Sequence, residues 1–183
     1  MIINRVRAIP NKWTFLIPQI ADLLKEEMAG FEKWLDPFCG ENSPAQIKND
    51  LNPNVKADYH LNAIEFLKLF DASSADGVLV DPPYSPRQVS DCYKGFGRNV
   101  TSRDTQGRPL ILIRNEVARV VRPGGKVICF GWNSCGIGES FGFQLIKILL
   151  VCHSAVVNDT IITIERKIQS GFNEVESDIE LEV

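Results

Sequence analysis

The 183-residue sequence has no excess of positive charge: 20 Lys and Arg stand against 23 Asp and Glu, a formal charge of −3. That counts against a polyanion-binding surface spread over the whole molecule, because phosphate contacts need clustered cations. No apolar run approaches the roughly 18–20 residues that a membrane span needs. The longest, around Ile146 to Cys152, reads as a buried strand, and no membrane partner is expected. The five cysteines (Cys39, Cys92, Cys129, Cys135, Cys152) are odd in number and hold no Cys-x-x-Cys pair. Neither a disulfide framework nor a zinc or other metal site is expected from them, and free thiols fit a cytoplasmic protein. The start, MIINRVRAIPNKW, is mixed rather than apolar, so no signal peptide is expected. His60 and His153 sit beside β-rich stretches and read as structural. What remains, 44% hydrophobic and 23% charged, suits a domain that buries about 70% of its unfolded surface around one core.

From Thr14 to Met28, apolar residues at 16, 17, 20, 23, 24 and 28 predict a helix that stops near Gly30. Short strands are predicted over Phe31–Phe38, Gln46–Asp50 and Val55–His60, then a helix over Leu61–Phe70. Val78, Leu79 and Val80 form a continuous apolar run, as in a parallel strand covered on both faces. A helix over 86–97, a mobile loop over 98–108 and a helix over Leu110–Val121 follow, the last closed by Arg122-Pro-Gly-Gly125. Lys126–Phe130 reads as another buried strand, and Phe143–His153 with Asn158–Lys167 as antiparallel neighbours. No repeat or linker divides residues 1–168, and the acidic stretch 169–183 is expected to fray. Strands alternating with helices predict an α/β domain with a mostly parallel sheet, whose ligands sit beyond the carboxyl ends of the strands.

Three clusters fall there: Asp36-Pro-Phe-Cys-Gly40, Asn49-Asp50 and Asp81-Pro-Pro-Tyr84. The last has a definite chemistry. An exocyclic amine on a nucleobase is a poor nucleophile, because its lone pair is delocalised into the ring. A site that methylates it must accept hydrogen bonds from the amine and hold a flat base. Asp81 offers carboxylate oxygens, the Pro82 carbonyl a second acceptor, and Tyr84 a ring whose stacking is worth roughly 1–3 kcal/mol. Pro82 and Pro83 stiffen the turn and remove two donors. Such chemistry requires no covalent enzyme intermediate, in keeping with the lack of a Pro-Cys nucleophile pair. Asp36 can meet the ammonium group of a nucleoside cofactor, Gly40 permits close backbone approach, and Asp50 is placed to accept from ribose hydroxyls.

Together these motifs resemble the Asp-Pro-Pro-Tyr amino-methyltransferases, in particular small phage- or prophage-type adenine-specific (N6) DNA methyltransferases. Supporting segments are Leu35-Asp-Pro-Phe-Cys-Gly40, Asn49-Asp-Leu-Asn-Pro53, Ala57-Asp-Tyr-His60, Arg122-Pro-Gly-Gly-Lys126, Gly131-Trp-Asn-Ser134 and Asn158-Asp-Thr160. The resemblance implies a Rossmann-like class I fold, mostly parallel and ending in an antiparallel hairpin, with S-adenosyl-L-methionine as cofactor. It implies that Phe15, Asp36, Pro37, Phe38, Gly40, Asp50 and Asn62 surround the cofactor, and that Asp81, Pro82, Pro83 and Tyr84 hold the target amine. Position 42 is Asn where that family usually has a second glycine, and the stretch from Asp36 to Asp50 is too short for a full helix. A loop is therefore expected at the cofactor's methionine end. Asn62 stands where an acid often meets the adenine, and its amide oxygen can still accept.

DNA is the expected partner. Arg87, Lys94, Arg98, Arg103, Arg108 and Arg114 outnumber Asp91 and Asp104 just beyond the target motif, giving a candidate phosphate-contacting flap. Singly, each arginine reads more readily as a solvated surface residue. Ser85, Arg87, Gln88, Arg98 and Arg103 are the candidate substrate contacts. No segment is large enough to be a separate sequence-reading domain, so specificity comes from this flap, from the second subunit of a homodimer, or is low. Cytosine N4, an RNA base or a protein amide would present a similar planar amine, and a non-enzymatic nucleic-acid-binding module that kept the fold is a further alternative. Trp132 and Asn133 lie where they either line a base pocket or close the core; the core is the preferred reading.

Overall fold

The computed structural model describes residues 1–83, 86–95, 97, 108–153 and 158–168. The loop expected over 98–108 lies outside them except for Arg108, which opens a helix, and so does the acidic stretch 169–183.

Among the described residues seven strands build one sheet: β1 (Ile2–Arg7), β2 (Trp34–Asp36), β3 (Ile47–Lys48), β4 (Ala75–Val80), β5 (Val121–Gly131), β6 (Phe143–Cys152) and β7 (Thr160–Lys167). Their spatial order is β1-β6-β7-β5-β4-β2-β3. β2 pairs in parallel with β3 and β4, β4 with β5, and β1 with β6. β7 runs antiparallel to both β5 and β6, the expected closing hairpin.

Helices cover both faces, as the apolar run in β4 requires. On one face α1 (Pro18–Met28) lays Ile20, Leu23 and Leu24 against Trp34, Leu79, Ile128 and Phe130. On the other, α2 (Ala63–Lys68) and α4 (Arg108–Val120) pack Phe66, Leu67, Ile113 and Val117 against Leu35, Val78, Val80 and Val127. Successive residues of a strand point to opposite faces, which is why Leu79 joins one layer and its two neighbours the other. Trp34 and Phe66, both without exposed surface, each contribute about 1.5–3 kcal/mol or more by burial. α3 (Pro86–Lys94) follows the Asp-Pro-Pro segment.

Three expectations need correction. Val55–His60 is not a strand; only a single parallel bridge joins Asn49 to Tyr59. Its neighbour β3 is two residues long, and side chains compete for the backbone here: Asp50 Oδ1 accepts from Asn52 N, Asn52 Oδ1 from Asn54 N and Asp58 Oδ2 from Lys48 N. The Arg122-Pro-Gly-Gly turn lies inside β5, where the pairing with β4 shifts register between Ala75 and Gly77. Finally, β1 was not expected. It is an edge strand exposed along nearly its whole length, so no alternation of apolar and polar residues announced it.

Between β2 and β3 the chain crosses over in residues 37–46 without a helix. Parallel neighbours usually need a dozen residues or more, so this loop is pulled tight against the strand ends.

Candidate active site

A cavity of about 810 Å³ opens beyond the carboxyl ends of β2, β3, β4 and β5. Phe15 enters from the turn before α1, and Pro37, Phe38 and Gly40 come from the end of β2. Asp50 follows β3, Asn62 caps α2, and Asp81, Pro82 and Pro83 follow β4. Gln88 reaches in from α3. The structure thus gathers nearly all the described candidates around one space. Arg87 is exposed on α3 and does not line it, while Tyr84, Ser85, Arg98 and Arg103 lie outside the described residues.

The acceptors on the β3 side are partly engaged by the backbone and partly open. Asp50 Oδ2 accepts from Gly40 N at 3.0 Å and Oδ1 from Asn52 N at 2.8 Å. Each carboxylate oxygen has two lone-pair sites, so one on each is left for a ligand. Asn62 Oδ1 accepts from Ile64 N at 3.0 Å as the cap of α2, again with a second site open. Gly40 has φ +51°, and no atom lies within 4 Å of where a Cβ would stand. Only glycine takes that conformation without strain, and it leaves the backbone bare to an approaching ligand.

Asp36 departs from its expected role. It has no exposed surface, and its carboxylate turns into the protein, accepting from Ser43 Oγ at 2.6 Å and Phe38 N at 2.9 Å. The short crossover loop has folded back and captured it. Burial pushes its pKa up to about 7, opposed by the two hydrogen bonds and reinforced by the charges of Asp81 and Asp50. In this structure Asp36 shapes the loop under the cavity and does not itself line it.

No protein-family model matches the chain, and no curated protein matches it in sequence. Solved structures do match in shape. An S-adenosylmethionine-dependent methyltransferase from Archaeoglobus fulgidus superposes with a TM-score of 0.55 at 14% identity, over 81% of this chain and 93% of the other. The 1,6-didemethyltoxoflavin-N1-methyltransferase of Burkholderia thailandensis, solved with S-adenosylhomocysteine, gives 0.55 at 11% identity, over 82% of this chain and 77% of that one. The N-methyltransferase NodS from Bradyrhizobium japonicum WM9 gives 0.52 at 11% identity, over 81% and 94%. The fold is that of the class I S-adenosylmethionine-dependent methyltransferases. At such identities the likeness concerns the fold alone.

Within this methyltransferase fold, the preferred reading of two residues is corrected and further wall residues come to light. Trp132, 45% exposed, and Asn133 line the cavity rather than the core, because β5 ends at Gly131 and the chain turns out over the strand ends. Glu165 on β7, 2% exposed, accepts from Ile137 N at 2.6 Å and Gly138 N at 2.9 Å and so fixes a turn of the cavity wall. Gly136, with φ +54°, lies against that carboxylate where a Cβ would collide with it. Burial raises the pKa of Glu165, while the two amides and the charge of Arg114 oppose the rise. Burial also pushes the Cys129 thiol well above its ordinary range, which keeps it protonated and a poor nucleophile. Arg114 lines the same wall. Its spacing of three from the buried Val117 marks the inward stripe of α4, a signal masked by its being one arginine among many. Among the described residues, no cluster of three or more His, Cys, Asp or Glu could hold a metal, and no helix is long and apolar enough to cross a membrane.

Proposed function

We propose that this chain is an S-adenosylmethionine-dependent methyltransferase acting on an exocyclic amine, with adenine N6 in DNA as its target. The observation that carries the reading is that Asp81-Pro82-Pro83, at the carboxyl end of β4, lines the same cavity as Asp50 and Asn62. A stiff acceptor turn and a nucleoside-sized set of acceptors share one space at adjoining strand ends.

The residues present fit the cofactor. The open lone-pair sites of Asp50 suit ribose hydroxyls, the free site on Asn62 suits an amino group, and the bare backbone at Gly40 leaves room for a close approach. When bound, S-adenosylmethionine supplies an electrophilic methyl on a positively charged sulfur. Asp81 and the Pro82 carbonyl then accept from the two amine hydrogens, turning the nitrogen lone pair out of conjugation and toward that methyl. Once the amine had taken up that methyl, its surplus proton would leave along the hydrogen bond to Asp81 or to water. Two prolines hold the acceptors still, and alignment of this kind is where such a site gains most of its rate. Tyr84 supplies the stacking face for the base in this reading, and Arg87, Arg98 and Arg103 meet phosphates.

Asp81→Ala is expected to cut methyl transfer by about 100-fold or more while leaving cofactor affinity, read by calorimetry, largely intact. A variant that turns over like the wild type would remove Asp81 from the mechanism. Incubation with labelled cofactor and DNA, RNA or protein, followed by nucleoside and peptide mass spectrometry, tests the target. N6-methyladenine in DNA supports the reading, and label on cytosine N4, an RNA base or a glutamine moves the target while keeping the chemistry. Failure to bind the cofactor at millimolar concentration leaves only a nucleic-acid-binding module.

A further inference from the structure

Arg114 differs from the other arginines and lysines that reach inward. Arg119, on the same helix, is engaged by Glu116 and by the carbonyls of Phe70 and Leu67. Lys167 donates to two carbonyls, and Lys126 to Glu27. Arg114, by contrast, has its Nε shielded from solvent with no hydrogen-bond partner. The acid whose charge it feels, Glu165, turns its oxygens to Ile137 N and Gly138 N, and among the described residues Arg114 forms no ion pair. A shielded donor without a partner costs about 1–3 kcal/mol, and a guanidinium carries five donors in a fixed fork. Arg114 also lines the cavity that holds Asp81.

An acceptor and a donor in one pocket match the chemistry of the target. Adenine N6 is flanked on both sides by ring nitrogens, N1 and N7, that can only accept. Resting on the amine-methylation reading above, we propose that Arg114 is the specificity-determining donor of the target pocket, hydrogen-bonding the ring nitrogen beside the amine that Asp81 holds. A donor on the ring withdraws electron density and so does not make the amine more nucleophilic. Its work is orientation and choice of base: a contact at N1 meets guanine donor to donor, because guanine carries an N–H there, while a contact at N7 leaves that choice to Asp81, which accepts from the amine that guanine lacks at C6.

The test uses the full chain and duplex DNA carrying a site that the wild type methylates. The target base is adenine, 1-deazaadenine or 7-deazaadenine, which remove N1 and N7 in turn. Arg114→Ala should raise KM for DNA about 10-fold or more, with kcat within about threefold of the wild type and cofactor binding unchanged. The wild type should lose affinity for one of the two deaza substrates, and the variant should be blind to that substitution. Arg114→Lys, which keeps the charge but loses the fork, should recover only part of the loss. Unchanged KM, or an undiminished deaza penalty in the variant, overturns the proposal. So does a shallower salt dependence with equal losses on all three substrates, which marks a phosphate contact instead. If Arg114→Ala does not bind cofactor, Arg114→Gln takes its place under the same criteria. Failure of the underlying reading is distinct, because then the wild type itself transfers nothing to DNA and the proposal falls with it.

Discussion

The two ends of the sheet are built on opposite electrostatic plans. Near the amino ends of β4 and β5, charges are answered. Asp76 accepts from Arg122 Nε at 2.6 Å and from the amides of Glu32 and Lys33, each at 2.9 Å. Glu27, 6% exposed at the close of α1, is held by Lys126 and Lys147. Lys167 closes the last turn of α4 through two carbonyls. At the carboxyl ends, the charges of Asp81 and Asp50 add to the burial that raises Asp36, and Arg114 Nε stands without a partner. One end pairs its charges to hold the fold; the other gathers carboxylates around a cavity and leaves the Arg114 Nε donor unmatched. Perturbed and incompletely satisfied groups gather where chemistry is done, at a cost in stability that the paired end offsets.

Three stability measurements would break or sharpen this contrast. The largest effect is expected from Glu27→Ala, which takes the shared carboxylate from two lysines with only 12–13% of their side chains exposed and leaves them the carbonyl of residue 27 and the exposed Glu26. Removing one side of a buried ionic cluster costs about 3–5 kcal/mol, readable by denaturant unfolding. A loss below about 1 kcal/mol would show that the amino end is not the anchor described here.

The second effect concerns pH and has opposite signs at the two ends. Burial raises the Glu27 carboxyl, but the bonds to Lys147 and Lys126 outweigh it, so its pKa falls below the ordinary 4.5. Its stabilisation is present above that value and is lost as pH falls. Asp36 runs the other way: with a folded pKa near 7 against 3.8 in the open chain, the folded state holds its proton more tightly. Its favourable contribution is therefore complete below pH 3.8 and is lost progressively up to about 7. Asp36→Asn, which cannot titrate, should flatten this part of the profile, so that wild type minus variant stability falls by a few kcal/mol between about pH 4 and 7. A constant difference across that window would contradict the burial argument.

The smallest effect is expected at Arg122→Ala. Arg122 is 43% exposed, and Asp76 keeps two backbone donors without it. A loss of about 1 kcal/mol or less is expected, shrinking further in high salt.

Much of this architecture is legible in the sequence where one face or both are buried. The Val78–Val80 run, the 3.6-residue stripe of α4 and the two β-rich stretches that form β6 and β7 all carry their burial as a pattern. β1 is invisible for the converse reason, since an edge strand with both faces open imposes no alternation. The strand expected over 55–60 alternates apolar and polar residues as a strand should, but side chains before and within it take the backbone bonds away. At the site, the clusters after β2, β3 and β4 were legible because each follows a strand end, whereas Phe15 and Asn62 came only from the family resemblance. What could not be read was which way a side chain turns. The inward fold of Asp36 depends on Ser43 seven residues later, the exposure of Trp132 on where β5 stops, and the lone donor of Arg114 on Glu165 being occupied elsewhere.

The placement of β1 has a consequence for how the molecule is made. Its register sets Ile2 against Lys147 and Arg7 against Cys152, and it has no other neighbour in the sheet. Contacts so distant along the chain close late, after local pieces have formed. During synthesis β1 emerges well before β6, the strand it pairs with, so both of its edges stay unpaired until the chain as far as Cys152 has followed.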